Sequence, residues 1–496
     1  HGLRKAIKVS MGVGKTRETA EALKIFSMIA PHIYVEVYSP RHELIDDFRE
    51  LLGDDTQGAH APTVIPVRGR TRPDAEGQTL CLKPDFVEKV QRAGLSVRTS
   101  ACYRSETDKC AYYDECPYWQ QFRTTPRPSI RIFPHRYLGL PRFNELPAPN
   151  IVVIDEQFFR DITASHTLRF AQLEDAFHGT DLPEFGTQLA ARLRQGERIL
   201  QAVRALGATP EWLGNLSFQT RERITPSLDQ HEAERRLHNV DTKRLNSLDA
   251  LCKTLAEEIT KNPERADATR VVTDFLREYV TIYRLAELPI PEGAAVLYLD
   301  GTADQTIVDK IFPAMEFVEI NVRQKAKVRQ VYNCTGSNQS WDDGSERVQD
   351  LVHMLQVRAE YGRQPLVVSH KNLADQLRDN GLPENVHVDH FGNLRGTNTY
   401  EDCDTIFITG RNQPPSYAVD GIARALFWDD EPPLRIDDAA LPNADPETDL
   451  PQELRGYRLA EDEEGAGVSV RSSTDRRIEA VHQQLREAET TQALAR

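Results

Sequence analysis

The sequence predicts an α/β protein built on parallel sheets and carrying two insertions, and three observations support this prediction. Short β-branched apolar runs alternate with segments of helical period in two separate parts of the chain, as expected for parallel sheets flanked by helices. Four of the seven cysteines fall within one short stretch, residues 81–116. Another long stretch, residues 168–290, has the apolar period of packed helices.

The first strand and helix enclose a loop suited to phosphate. An apolar run, Ala6–Val9, precedes and overlaps the sequence VSMGVGKT, and a helical pattern follows it. The glycines let the backbone turn its N–H groups towards an anion, Lys15 can reach the β- and γ-phosphates of a nucleotide, and Thr16 can ligate Mg²⁺. Val9 stands where the strict pattern has glycine. The ATP- and Mg²⁺-binding residues predicted in this loop are Met11, Gly12, Val13, Gly14, Lys15 and Thr16.

A strand that ends in two carboxylates follows at Ile151–Phe159, IVVIDEQFF. The carboxyl end of a buried parallel strand is where ligands bind in open α/β sheets. At that position Asp155 can hold Mg²⁺ and Glu156 can polarise an attacking water. Together with the upstream loop, this acidic pair indicates the second half of an ATP-hydrolysing site.

The clustered cysteines indicate a metal rather than disulfides in a chain without secretory features. Four thiolates suit either a [4Fe–4S] cluster or a tetrahedral zinc ion. The spacings lack the CxxC pair of zinc ribbons, and four unliganded thiols in an aromatic-rich loop are the alternative. The candidate metal ligands are Cys81, Cys102, Cys110 and Cys116.

The second half of the chain repeats the α/β pattern from Ala295–Leu299 onwards. Its loop His390–Asp404 contains Gly396 and small polar residues, which suit a close approach of the backbone to phosphate. Residues 429–464 are rich in Asp, Glu and Pro, and we expect them to form a solvated or disordered insertion. The apolar stripes of residues 168–290 predict the packed core of a helical insertion.

Composition limits the classes of function. The net charge of −15 argues against a protein coated in basic surface, so nucleic acid would be held in local basic grooves. No apolar run approaches the roughly 20 residues of a membrane span and no signal peptide opens the chain, which predicts a cytoplasmic protein. Because His1 stands in place of Met, we expect a fragment or a processed product.

The order of the motifs resembles that of superfamily-two helicases, and within them the iron–sulfur group typified by XPD and DinG. VSMGVGKT is similar to motif I, VYSPRHEL to motif Ia, IVVIDEQF to motif II, LDGTAD to motif III, VVSHKNLAD to motif IV, RGTNTYEDCD to motif V and QALAR to motif VI. CPYW resembles the surroundings of that group's last cluster cysteine. The chain departs from the pattern at Phe158, where the DEAH group has His, and motif VI is cut off after Arg496.

The resemblance implies two RecA-like domains with ATP between them. The implied divisions are residues 1–77 and 126–167 for the first domain, 78–125 for the Cys-rich metal-binding insertion, 168–290 for a helical, arch-like insertion, and 291–496 for a second domain that contains the acidic insertion at 429–464 and is truncated at motif VI.

The activity implied by the resemblance is ATP-dependent unwinding of, or translocation along, single-stranded or forked DNA, with a [4Fe–4S] cluster preferred over zinc. The implied catalytic residues are Lys15, Asp155, Glu156 and Arg496, with Gly396 and Gln492 on the second domain's side of ATP. The implied nucleic-acid-binding residues are Arg68, Arg70, Arg72, Arg127, Arg131 and Arg136. Two alternatives stay open: an ATPase that nucleic acid stimulates without unwinding, and a metal-stabilised nucleic-acid-binding module with a decayed ATP site.

Overall fold

A computed structural model describes most of the chain. The described residues are 2–10, 12–53, 62–73, 77–218, 223–239, 241–322, 325–331, 336–337, 340–341, 345–394, 399–400, 402–444, 449–456 and 467–494. Three of the predicted site residues, Met11, Gly396 and Arg496, lie outside them.

The strands of the described part are, in chain order, β1 (Arg4–Val9), β2 (Tyr34–Ser39), β3 (Thr63–Pro66), β4 (Tyr103–Ser105), β5 (Asp108–Lys109), β6 (Ser129–Pro134), β7 (Ile151–Asp155), β8 (Thr163–Arg169), β9 (Val271–Thr273), β10 (Tyr279–Leu285), β11 (Ala295–Leu299), β12 (Glu316–Ile320), β13 (Pro365–Ser369), β14 (His387–His390), β15 (Thr405–Ile408), β16 (Gln452–Gly456) and β17 (Gly467–Arg471).

The α-helices of the described part are α1 (Lys15–Ile29), α2 (His42–Leu52), α3 (Pro84–Arg92), α4 (Pro117–Arg123), α5 (Phe170–Glu174), α6 (Phe185–Arg194), α7 (Ile199–Ala205), α8 (Pro210–Asn215), α9 (Gln230–His238), α10 (Thr242–Lys261), α11 (Gln305–Ile311), α12 (Glu346–Glu360), α13 (Lys371–Asp379), α14 (Ser416–Phe427) and α15 (Arg476–Leu494). A π-helical turn occurs at Arg98–Cys102 and short 3₁₀ helices at His135–Gly139 and Asp438–Ala440. None of the described helices is long and apolar enough to cross a lipid bilayer.

Seven parallel strands form the main sheet, in the order β12-β1-β11-β7-β2-β6-β3. Central β7 carries the apolar run predicted for a buried parallel strand, and Val152, Val153 and Ile154 are all fully buried. Helices α1 and α2 cover one face, where Leu23 and Phe48 join its core. Helices α4 and α11 cover the other face.

The second sheet is smaller and also parallel, in the order β14-β13-β15. Helices α12 and α13 pack on one of its faces through a core that includes Leu355, Leu373 and Val367. On the other face, Ala493 of α15 joins Leu366 in a separate cluster. With two parallel sheets flanked by helices, the predicted α/β class is confirmed.

Two strands of the main sheet come from far along the chain. Strand β1 has β11 on one side and β12 on the other, and both are parallel to it. We expected residues 295–299 to open the second domain, so the predicted start of that domain at residue 291 is wrong. An apolar strand has the same sequence pattern in either sheet, because its residues do not specify which strands it will pair with.

The helical insertion is anchored by a sheet. Helices α5, α6, α7, α8 and α10 share one core, but the ends of the insertion run antiparallel as β8 and β10, with β9 on the far side of β10. This three-stranded sheet was not predicted, because TASHTLR at β8 has few apolar residues. The antiparallel pairing brings the two ends of the insertion together beside the main sheet.

The Cys-rich insertion lies between the main sheet and the helical insertion. Its helix α4 packs on the main sheet through Trp119 and Phe122. Its helix α3 packs against α9 through Phe86, Val90 and Ala233. The insertion is therefore fixed on two sides.

The described start of the acidic stretch after α14 contacts both α11 and the helical insertion. Asp429 and Asp430 both lie 2.6 Å from the ammonium group of Lys310, and the guanidinium of Arg270 lies 3.7 Å from the ring centre of Trp428. Strands β16 and β17 pair as an antiparallel hairpin. The described part of the stretch is therefore folded rather than disordered, because Lys310 of α11 and Arg270 of the helical insertion hold its start, while most residues of β16 are exposed as expected.

Candidate functional site

The predicted phosphate loop lies at the carboxyl edge of the main sheet, between β1 and α1. Gly12 and Gly14 have φ values of 75° and 84°, and Gly14 caps the first turn of α1. A side chain at Gly14 would meet no other atom, so glycine is required there by the backbone conformation and not by space. Backbone N–H groups at the start of this 15-residue helix therefore suit an anion.

The loop meets the acidic pair at the end of β7. Lys15 Nζ lies 3.4 Å from Glu156 Oε1, and both side chains are about nine-tenths buried. The Thr16 hydroxyl donates to Asp155 Oδ2 at 3.2 Å. The two motifs are separated by 139 residues in the chain, yet the parallel topology brings their functional groups into contact.

Glu156 has an unusual backbone conformation. Its φ is 70°, in the left-handed region that costs a residue with a side chain about 1–3 kcal/mol. Its N–H donates to the carbonyl oxygen of Leu299 at 2.7 Å, which ties the turn to the neighbouring strand. The strained turn directs the Glu156 carboxylate to Lys15.

Asp155 is 3 % exposed and carries an unsatisfied oxygen. Burial and the neighbouring Glu156 raise the pKa of Asp155, while Lys15 and Thr16 oppose the shift. Its Oδ1 accepts no hydrogen bond from the described residues. A buried carboxylate oxygen without a partner, beside a threonine hydroxyl, fits Mg²⁺, which commonly takes one or two carboxylates plus nucleotide phosphates and water.

Behind this pair, His135 supports the turn. Its Nε2 lies 2.8 Å from the carbonyl oxygen of Asp155, and the ring is buried. Phe158 packs beside Tyr298 and Phe312. Phe158 is 1 % exposed, so this side chain belongs to the core beside the main sheet.

Asp300, at the end of β11, is a site residue that the sequence analysis did not single out. It is fully buried and accepts hydrogen bonds from the Tyr298 hydroxyl, the Thr302 backbone and hydroxyl, and the Gln484 amide, all within 3.1 Å. Its repulsion contributes to the raised pKa of Asp155. The signal was present, because Asp300 follows an apolar strand just as Asp155 ends one.

Helix α15 brings the end of the chain to the site. Gln492 Nε2 donates to Glu156 Oε2 at 3.3 Å in a buried contact. One turn earlier, Glu489 accepts from the backbone N–H of Gly392, which follows β14. The predicted residue Gln492 thus lies against the acidic pair, and the same helix contacts a loop of the second sheet.

Two of the six predicted nucleic-acid-binding arginines are placed wrongly for that role. Arg131 is fully buried and donates to Tyr34, Thr124 and Thr125, so it cannot reach an external strand. Arg127 precedes β6 and donates to the carbonyl oxygen of His32, at the amino edge of the sheet. Both residues were predicted from the resemblance and the spacing of the arginines, which do not establish whether a side chain is exposed.

The other four arginines follow the carboxyl ends of β3 and β6. Arg136 is exposed, and Arg68 and Arg72 are half-buried. Arg70 stacks on the ring of Tyr118 at 3.9 Å and thereby joins the Cys-rich insertion to this edge. Arg68, Arg72 and Arg136 are the three that remain available to a ligand there.

The four clustered cysteines are free thiols. Burial raises the pKa of Cys81 to about 11 and also raises the pKa of Cys102, although the Arg70 guanidinium opposes the latter shift. Across the described residues, which include all four, no three Cys, His, Asp or Glu side chains are placed to hold one metal ion. The donor set therefore does not fit the expected cluster or zinc site in this arrangement.

Comparisons with known proteins give only distant similarities. No family model matches the chain, and no curated protein matches it. A DEAD box protein from the hyperthermophile Methanococcus jannaschii superposes with a TM-score of 0.26 at 10% identity, covering 86% of this chain and 79% of that one. A truncated XPD gives a TM-score of 0.26 at 11% identity, covering 64% and 96%. Both TM-scores are low, so these similarities assign neither a family nor an activity.

Proposed function

We propose that the chain hydrolyses ATP at the carboxyl edge of the main sheet and uses it to act on nucleic acid as a helicase or translocase. The observation that carries the hydrolase part is the paired contact of Lys15 with Glu156 and Thr16 with Asp155. A lysine at a helix N-terminus, a hydroxyl and two carboxylates at adjoining strand ends are the groups that phosphoryl transfer to water requires.

In the proposed reaction, Lys15 leaves Glu156 and binds the β- and γ-phosphates. Thr16 and Asp155 would hold Mg²⁺, which would supply neutralisation of charge on the phosphates. Glu156, released from Lys15, accepts hydrogen bonding from the attacking water and orients it. Arg496, four positions after Gln492 in the sequence, is the proposed arginine finger, a group worth about 10³–10⁵ in rate.

The test is ATP turnover by the whole chain with Mg²⁺, measured with and without single-stranded DNA. Lys15→Ala is expected to abolish turnover, because the lysine's charge on the phosphates is lost. Glu21→Gln, which changes an exposed residue of the same helix, is the control and is expected to retain wild-type turnover. Wild-type turnover absent, or unchanged by Lys15→Ala, contradicts the proposal.

Single-stranded or forked DNA is the proposed partner. Support comes from Arg68, Arg72 and Arg136, which follow strand ends at the edge that carries the ATP site. Phosphate contacts of this kind make binding insensitive to base sequence and steeply dependent on salt. Release of a labelled strand from a forked duplex separates unwinding from stimulated ATP hydrolysis without unwinding, and the same assay with an RNA fork compares the two nucleic acids.

We further propose that the protein is cytoplasmic. The proposed reaction does not involve a metal at the four cysteines. An iron–sulfur cluster is tested by the visible absorption spectrum of protein purified without oxygen, together with its iron content. Stoichiometric zinc in a colourless sample would instead assign the cysteines to a structural zinc site.

A further inference from the structure

Helix α15 contacts the nucleotide edge at two points on one face. Gln484 Nε2 donates to Asp300 Oδ2 at 3.1 Å, and Gln492 Nε2 donates to Glu156 Oε2 at 3.3 Å. The two glutamines are eight residues apart, about two helical turns or 12 Å. Asp300 follows β11 and Glu156 follows the adjacent strand β7. The helix therefore lies across the edge of the main sheet.

The two contacts differ in what nucleotide binding does to them. Glu156 also holds Lys15, which has to move when phosphates enter, so the Gln492 contact lies inside the proposed reaction centre. Asp300 is bound by Tyr298 and Thr302 of its own strand end and turn. The cavity beside Gln484 is lined by aromatic and aliphatic side chains of the main-sheet domain, which exclude water and strengthen the hydrogen bond.

Helix α15 also contacts the second sheet. Glu489 accepts from the N–H of Gly392 at 2.9 Å, and Ala493 packs with Leu366 and Val368 of β13. One rigid helix therefore links the second sheet to both strand ends of the first.

We propose that the Asp300–Gln484 contact is the pivot that positions α15 over the nucleotide site. Asp300 and Gln484 are then positioning residues: they touch neither phosphate nor metal, but they hold Gln492 in register with Glu156. This inference rests on the proposed ATP hydrolysis. It predicts that loss of the pivot lowers the turnover number without weakening nucleotide binding. The residues proposed to bind phosphate lie at the start of α1, and the pivot does not hold them.

The test compares Gln484→Ala with Thr491→Ala, a truncation at an exposed position of the same helix. Hydrogen–deuterium exchange in residues 476–494 without nucleotide reads the position of the helix, and steady-state ATP hydrolysis gives kcat and KM. For Gln484→Ala we expect faster exchange in the second half of α15 and a fall in kcat of about tenfold with KM within about twofold, since a buried charged acceptor loses its partner. Thr491→Ala is expected to leave both readouts unchanged.

Faster exchange with unchanged kcat would assign the contact to stability alone and overturn the pivot. Equal effects of the two truncations, or a fall in kcat matched by a rise in KM, would overturn it as well. If wild-type protein hydrolyses ATP, each of these outcomes rejects the pivot and leaves the proposed function standing. A wild-type protein without turnover rejects both, and the exchange data then show only whether Gln484 fastens the helix.

Discussion

Lys15 and Glu156 neutralise each other in the structure, and a nucleotide has to compete with that contact. The ammonium and the carboxylate are 3.4 Å apart and largely shielded from water, where opposite charges attract more strongly than at the surface. ATP carries enough negative charge to draw Lys15 away. In the proposed reaction, the arrival of ATP therefore frees the Glu156 carboxylate, so that one lysine couples nucleotide binding to activation of the attacking water.

Glu156→Gln separates the two roles of this carboxylate. We expect ATP to bind more tightly, because Lys15 no longer has a charged competitor, while hydrolysis falls by about 10²-fold or more, because no base orients the water. Fluorescent-nucleotide titration measures the first effect and phosphate release the second. A variant that hydrolyses ATP at the wild-type rate would remove Glu156 from the mechanism.

The buried and exposed arginines predict opposite phenotypes. Arg131→Met leaves the Tyr34 hydroxyl and the Thr124 carbonyl without their donor, so we expect a loss of about 1–3 kcal/mol of stability with unchanged affinity for nucleic acid. Arg136→Ala, at an exposed position, is expected to weaken binding and reduce its salt dependence by about one phosphate contact. Thermal unfolding and fluorescence anisotropy at several salt concentrations measure the two effects.

At the scale of elements, the first turns of α15 depend on an ionised carboxylate. Burial alone would raise the pKa of Glu479, but hydrogen bonds from His482, Ser473, Arg455 and Gln483 hold it far below its usual value of 4.5. A group with a lowered pKa stabilises the fold above its unfolded pKa, and this contribution disappears as the pH falls towards the folded pKa. The hairpin β16–β17 is attached to α15 through this residue, because Arg455 lies on β16.

Glu479→Gln is therefore expected to lower the unfolding midpoint at pH 7. The difference from wild type should stay constant down to about pH 4.5 and shrink below it, since the wild-type carboxylate then loses its advantage over the unfolded chain. Thermal unfolding from pH 7 to pH 3.5 measures this, with exposed Glu360→Gln as the control. A difference that grows on acidification would contradict the assignment.

Sequence patterns predicted the strands and helices better than they predicted which of them pack together. VSMGVGKT and IVVIDEQFF gave both halves of the site, because parallel strands bring their carboxyl ends to one edge, and their predicted proximity agrees with the Lys15–Glu156 contact. Strand β8 was missed because its partner β10 lies 110 or more residues away and supplies most of the apolar surface. Arg131 alternates with Ile130 and Ile132 on β6, and period alone does not reveal that both faces of this strand are covered.

At the scale of the whole molecule, Arg41 joins the two sheets directly. From the start of α2 its guanidinium donates to the carbonyl oxygens of Gly392 and Asn393 at 2.5 and 2.7 Å. The same Gly392 donates to Glu489 of α15. The loop after β14 is thus held by Arg41 and by Glu489, so movement of one sheet relative to the other would change these contacts.

Arg41→Ala is expected to release this loop. A net hydrogen bond worth about 1 kcal/mol corresponds to about fivefold, so backbone exchange at residues 390–394 should rise by at least that factor. We also expect weaker stimulation of ATP turnover by nucleic acid, because the two sheets are no longer held in register. The control is Arg92→Ala, which removes an exposed arginine that pairs with Glu88 of the same helix. Unchanged exchange in the loop would show that Arg41 does not restrain it.

The strand that carries the phosphate loop has β11 and β12 as its two neighbours in the main sheet. During synthesis, strand β1 therefore has neither of its partner strands until about 300 later residues have left the ribosome. A shortened chain that ends at residue 290 would contain every residue of the VSMGVGKT and IVVIDEQFF motifs and still leave the first of them on an unpaired strand. A nascent or prematurely terminated chain therefore contains both halves of the proposed ATP site before the strand that carries its phosphate loop has a neighbour in the sheet, and we expect ATP-binding competence to be acquired late.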